Sequence, residues 1–529
     1  MSFKTILFIL ACIIFTSCQS NMKKQTESPI EFPNAVAYEI FIQSFADSNG
    51  DGIGDIAGAT QKLDYLQDLG INAIWLMPVM PSPSYHKYDV TDYKAIHPDY
   101  GTIDDFKQFV EEAHKRNIKV IIDMIINHTS SEHPWFQQAA ADTNSPYREY
   151  YVWADKDSIA DEIAKKEITQ DSDNIRQWHA VDEDEDAEHY YGFFYGGMPD
   201  LNFDSEKVRN EIVEIGRFWL DELKVDGFRL DAAKHIFPDE RIKDSYEWWQ
   251  YYRDEMRKIK PDVYLVGEVW APASVVKEFA KGFPALFNFD LAGSIQQSVM
   301  QGKHVAATID GPTWVNLENE NLVDRLIEQR KMLLTVSPDY HDAIFLSNHD
   351  QNRVLSNFKG NSDKAKLAAS ILLTLPGSPY IYYGEEIGML GKKPDEHIRE
   401  PFLWESNKQD SLRTEWIKAK FSTHAKVKPL SIQKSDNHSI YHHYKRMIAL
   451  RNSQPALVKG EIDRLEIENA YLLAFTRSFE GDTLKVIHNL STGKQKVTLD
   501  YVEVVFGEQN LKADGKSVEI MAGKTIVLR

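Results

Sequence analysis

Gly227-Phe-Arg-Leu-Asp231-Ala-Ala-Lys-His235 joins a short strand-like run to a polar turn, with an acid at the seam. The same arrangement recurs along the chain. Apolar, β-rich runs lie at 35–42, 73–77, 119–124, 227–230, 263–266, 285–289, 343–346 and 380–383, and helical patterns separate them. Strand alternating with helix is the pattern of parallel βαβ units, and eight strands is the number that closes a (β/α)8 TIM barrel. No internal sequence repeat accompanies them. Thr102-Ile-Asp-Asp105 reads as a capping box ahead of Phe106, Phe109, Val110 and Ala113 on one helix face. Ser205 is expected to cap a helix whose face carries Val208, Ile212, Ile215, Phe218 and Trp219.

Spacing divides the chain. Asp231 and Glu268 are 37 residues apart, one strand–helix unit, whereas Asn127 and Asp231 are 104 apart. The excess of about 65 residues is too long for a structureless loop and predicts a small inserted domain. The expected layout is a barrel over 34–127 and 205–454, an inserted domain over 128–204 after the third strand, and a C-terminal antiparallel β-sandwich over 455–529. The acidic run Asp182 to Asp186 reads as a solvated face of the insert.

Composition narrows the function classes. With 60 Lys+Arg against 80 Asp+Glu, the net charge of −20 argues against nucleic acid as a partner, because that binding rests on neutralising phosphates. Lys4 precedes ten apolar residues and then Thr16-Ser17-Cys18, so 1–17 reads as a signal peptide. The only cysteines are Cys12 and Cys18, which leaves the mature chain without a disulfide framework or a thiolate metal site. Phe15-Thr-Ser-Cys18 is similar to a lipobox. On that reading Cys18 carries a lipid anchor, 18–33 is a tether, and the protein is an extracytoplasmic lipoprotein; plain secretion is the alternative.

In a (β/α) barrel the chemistry sits where strands end. Asp231, Glu268 and Asp350 each follow an apolar run, with Arg229, His128, His235 and His349 beside them. Acids that converge in a cleft split their proton affinities, so that one donates while another stays ionised. Glycoside cleavage needs that division.

Four ordered segments carry a family resemblance. Asp123-Met-Ile-Ile-Asn127-His128, Gly227 to His235, Gly267-Glu268-Val-Trp and Leu346-Ser-Asn-His349-Asp350 resemble those of the α-amylase family, glycoside hydrolase family 13. Met198-Pro-Asp-Leu-Asn202 is similar to a fifth, in the insert. The resemblance implies Asp231 as nucleophile, Glu268 as acid/base, and Asp350 as the carboxylate that holds sugar hydroxyls. Arg229 would pair with the nucleophile, and His128 and His349 would bond the sugar at the cleavage point. Tyr88 would stack on that sugar, with Asp89 paired to Arg399. Lys234-His235 resembles the pair that holds the leaving-side sugar in α-amylases and favours α-1,4-glucan as substrate. An exo-α-glucosidase or a cyclodextrin/pullulan hydrolase is the alternative, and a non-catalytic glucan-binding relative would be expected to lack one of the acids.

Asp47-Ser-Asn49-Gly-Asp51-Gly-Ile53-Gly-Asp55 sets oxygen donors at alternate positions, which suits structural Ca2+ held by Asp47, Asn49, Asp51, the Ile53 carbonyl and Asp55. A second ion at Asn127 is suggested, as in many α-amylases.

Overall fold

The computed structural model describes residues 30–164, 176–181, 188–310, 313–406, 410–507 and 516–529. The expected signal segment, Cys18 and the acidic run from Asp182 lie outside the described residues.

Eight parallel strands close a barrel: β1 (Ala37–Ile40), β2 (Ala73–Leu76), β3 (Lys119–Met124), β4 (Gly227–Leu230), β5 (Tyr264–Gly267), β6 (Ala285–Phe287), β7 (His341–Phe345) and β8 (Ser378–Tyr382). Each pairs with its neighbour in sequence, and β8 returns to β1. The expected runs agree with these strands to within a few residues at each end.

Because side chains alternate along a strand, each one has an inner and an outer rank. The outer rank, including Tyr38, Ile74, Ile122, Phe228 and Ile344, packs with the surrounding helices in one large core. The inner rank fills the barrel with Ala37, Trp75, Ile121, Tyr264, Val266, Phe287, Phe345 and Tyr380. Near the strands' C-terminal ends that rank turns polar. Glu39, Asp123 and Arg229 occupy it, and Asp123 and Arg229 are register partners across β3 and β4.

The helix Ile103–Lys115 opens with the expected reciprocal box between Thr102 and Asp105. Ser205 does precede the helix Glu206–Arg217, but its side chain makes no cap bond. The hydroxyl turns instead to the charged acceptor Glu149, at 3.0 Å. Between β3 and β4 the insert builds a three-stranded sheet from Trp153–Ala154, Trp178–Ala180 and His189–Tyr191. A hairpin, Ala307–Asp310 with Thr313–Asn316, rises after β6 and packs on the helix Phe289–Gln301. The C-terminal region holds an antiparallel five-stranded sheet and a two-stranded one around their own apolar core.

Candidate active site

The centre of the site is one arginine. The Arg229 side chain, on the inner rank of β4 and 1% exposed, reaches three carboxylates: Asp123 at 2.8 Å, Asp231 at 2.5 Å and Glu268 at 2.8 Å. Strand geometry explains this convergence. Register sets Asp123 opposite Arg229, Asp231 stands one residue beyond β4, and Glu268 one residue beyond β5. Ala232 then turns the chain through φ +46°, a left-handed conformation costly for a residue with a Cβ, and its N–H donates to Glu268 Oε2 at 3.2 Å.

Asp350 anchors the opposite side. It receives His349 Nε2 at 3.0 Å and Arg399 Nη2 at 3.0 Å. Tyr88 links the two halves, donating to Asp123 at 3.0 Å with its oxygen 2.6 Å from His349 Nε2. His128 Nε2 donates to the Tyr88 carbonyl at 3.2 Å. The segment Met198 to Asn202 is stitched along the chain after β3 by bonds from Leu201 N to Asn127 O and from Thr129 N to Pro199 O. The insert thereby comes to the barrel mouth.

The electrostatics separate the acids. Burial pushes the Glu268 carboxyl up to about 8; Arg229 pulls against this, while the charges of Asp231 and Asp350 add to the rise. Burial also opposes ionisation of Asp350, yet His349 and Arg399 hold it well below the usual carboxylate range. Burial pushes Asp123 up to about 7 against the pull of Arg229. His128 is lowered by burial.

All three catalytic candidates line one cleft of about 820 Å³, together with Tyr88, His128, Lys234, His235 and Arg399. One expected pairing differs. Arg399 does not pair with Asp89: its Nε donates to the His349 carbonyl at 3.0 Å, which aims the guanidinium at Asp350 and Asp395. Asp89 instead accepts the hydroxyls of Ser82, at 2.6 Å, and Ser84. Lys234 leans on Asp239 at 3.4 Å, and the His235 ring stacks on Phe193 at 4.0 Å between centroids.

Sequence reasoning missed the aromatic walls. Phe194 and Tyr195 come from the insert, Trp270 from the turn after β5, and Trp314 from the hairpin after β6. The signal was present for Trp270, two residues beyond Glu268, but a hairpin's height over the mouth is not readable from its residues. Glu39 was also missed. An acid amid the apolar run of β1 was its only mark.

In the calcium-candidate loop each side chain closes a turn. Asp47 accepts from the N–H groups of Asn49, Gly50 and Gly52, Asn49 from Asp51, Asp51 from Ile53, and Asp55 from Ser48 and Gly58. Among the described residues no three acidic, histidine or cysteine groups converge as a metal cage. The buried Asn127 Oδ1 has no hydrogen-bond partner; its side chain adjoins Asp200, whose carboxyl burial pushes up to about 8.

Residues 39–460 match the family described as "Alpha amylase, catalytic domain". The chain belongs to the α-amylase family. It is 42% identical over 488 residues to "Alpha-amylase 3" of Dictyoglomus thermophilum, covering 92% of this chain and 90% of that protein. It is 35% identical to a 4-alpha-glucanotransferase of Thermotoga neapolitana, over 87% of this chain and 96% of the relative. Among solved structures, the alpha-amylase from H. orenii superposes with a TM-score of 0.84 at 40% identity, covering 94% of this chain and 99% of the other. This α-amylase-family chain is thus an enzyme of the glycoside-hydrolase class.

Proposed function

We propose that the enzyme cleaves α-1,4-glucosidic bonds of starch-type glucans and maltooligosaccharides with retention of configuration. One observation carries the reading: a single guanidinium ties Asp231 and Glu268 together, while burial pushes the Glu268 carboxyl up to about 8. The Asp231 carboxylate attacks the anomeric carbon as the bond to the leaving oxygen breaks, and Glu268 gives that oxygen its proton. Glu268, now ionised, takes a proton from water, which attacks the same carbon and frees Asp231. Two inversions give net retention, and this mechanism places the carboxyls ~5–5.5 Å apart. Asp350, braced by His349 and Arg399, would bind sugar hydroxyls more tightly as the ring gains positive charge.

Digestion of soluble starch, with the released anomer followed by proton NMR, tests the reading. Long maltooligosaccharides in the α-configuration are expected early. A β-anomer overturns the mechanism. Glucose alone moves the assignment to an exo-α-glucosidase, and rapid opening of cyclodextrin or pullulan to a hydrolase of those substrates. Products longer than the donor indicate transfer, the activity named for the Thermotoga relative.

Structural calcium belongs to the same proposal. The donors of the loop are all hard oxygens: Asp47, Asn49, Asp51, the Ile53 carbonyl and Asp55. The ion would tie together carboxylates that otherwise repel. A second ion at Asn127 would use the same chemistry, through its buried amide oxygen. Attachment at Cys18 and an extracytoplasmic location complete the proposal. Incorporation of labelled fatty acid, lost in Cys18→Ser, would support the anchor, and its absence in the unaltered chain would leave plain secretion.

A further inference from the structure

Behind the residues that face the cleft stands a deeply buried carboxylate. Glu39 lies on the inner rank of β1, 1% exposed, and its Oε1 is 2.6 Å from His349 Nδ1. The other ring nitrogen, Nε2, faces Asp350 Oδ2 at 3.0 Å and the Tyr88 oxygen at 2.6 Å. Tyr88 directs its own hydrogen to Asp123, so its oxygen is an acceptor toward the ring. Both nitrogens of His349 therefore look at acceptors, and only an imidazole carrying two protons satisfies both.

We infer that Glu39 is a positioning residue whose negative charge fixes His349 as an imidazolium, so that Nε2–H is always presented to Asp350 and the sugar beside it. Other groups around the ring push both ways. Asp350 supports the cation. Arg399, which donates to the His349 carbonyl, opposes it, while Trp75 offers only its ring at 5.5 Å. The His349 charge in turn lowers the proton affinity of Glu268 and of Asp123. Burial alone would discharge the ring, yet Asp350 and Glu39 together lift it to about 10. A neutral hydrogen-bond acceptor at position 39 would keep the ring in place but remove the Glu39 part of that support. The inference rests on the hydrolase reading only for its consequence in catalysis. The charge itself is a property of the free protein.

Glu39→Gln is the discriminating variant, because it preserves size and an acceptor oxygen while removing charge. Histidine ring-labelled protein is titrated by NMR without substrate, and the His349 signal is identified by its loss in His349→Gln. The resonance is expected to stay in the imidazolium position to about pH 9 in the unaltered protein and to titrate at least tenfold more easily in Glu39→Gln. Identical titration in the two proteins, or a neutral ring at pH 7 in the unaltered one, overturns the inference. Should Glu39→Gln fail to fold, Glu39→Asp keeps the charge at a longer reach, and a ring that is neutral at pH 7 there also overturns it. In kinetics, kcat is expected to fall more than KM changes, since Asp350 loses its oriented donor in the transition state. Unchanged kcat with a shifted titration limits the role to charge and removes the catalytic consequence.

Discussion

Two groups of buried carboxyls lie within one barrel and behave as opposites. Around Arg229, Asp123, Asp231 and Glu268 bond to a guanidinium and the cluster opens into the cleft. After β8, Glu385 and Glu386 are 4% and 0% exposed and bond to hydroxyls: Tyr444 and Ser347 for the first, Tyr38 and Tyr65 for the second. The guanidinium of that region, Arg353, gives its hydrogen bonds to the carbonyls of Ile398 and Tyr383. Burial pushes Glu385 up to about 8 and Glu386 to about 7. Raised proton affinity therefore does not mark a catalytic acid by itself. The distinguishing features are a shared cation and access to substrate, which Glu268 has and the Glu385–Glu386 pair lacks.

The comparison breaks most visibly at Asp231, the proposed nucleophile. Asp231→Asn should lower kcat by at least on the order of 10⁴-fold while starch binding persists. Steady-state rates with a binding assay check this, and retained turnover would end the assignment. Glu268→Gln should cost ~10²–10⁴-fold on starch, and much less on an aryl glucoside whose leaving group needs no proton. In the unaltered enzyme the acid must hold its proton, so kcat/KM should fall as pH rises through about 8. That alkaline limb should vanish in Glu268→Gln on the aryl substrate. Its persistence would mean that another group sets it.

The barrel and the three acids were legible because their signals are local. An apolar run of strand length followed by a polar residue carries both the element and the position of its side chain at the mouth. Arg229 and Asp231 were readable as a pair for the same reason, two residues apart. What was hidden depended on distance in sequence. Glu39 and His349 are 310 residues apart, and only closure of β8 onto β1 brings them together. Asp89 and Arg399 could be paired by analogy, but the short loop carrying Ser82 and Ser84 satisfies Asp89 locally, and the His349 carbonyl turns Arg399 elsewhere. Ser205 obeyed its propensity in position and not in bonding, since Glu149 arrives from the insert.

The sealed pair sharpens the contrast through stability. An unfolded Glu titrates near 4.3, whereas Glu386 in the fold holds its proton to about 7. Between those values the folded chain binds more protons, so its stability is full below the unfolded value and is lost as pH rises through the folded one. Glu386→Gln keeps an acceptor for Tyr38 and Tyr65 but has no charge to bury. Its Tm relative to the unaltered protein should therefore rise by roughly 2–4 °C between pH 5 and pH 9, as read by calorimetry. A constant difference across that range would show that Glu386 is ionised in the fold. Activity per folded molecule should not change.

The proposed calcium would offer a third contrast, in which acids are tied by an ion and not by a guanidinium or hydroxyls. Chelation should lower Tm by a few degrees, and added Ca2+ should restore it in the unaltered protein but not in Asp47→Asn. Both oxygens of Asp47 already hold the loop by backbone N–H bonds, and an Asn side chain keeps only one of them as an acceptor. Asp47→Asn should for that reason lower Tm slightly even under chelation. The part of the loss that calcium no longer repairs measures the ion, and the part present without calcium measures the turns. Equal Tm with and without chelator in the unaltered protein would leave the loop as a hydrogen-bonded turn.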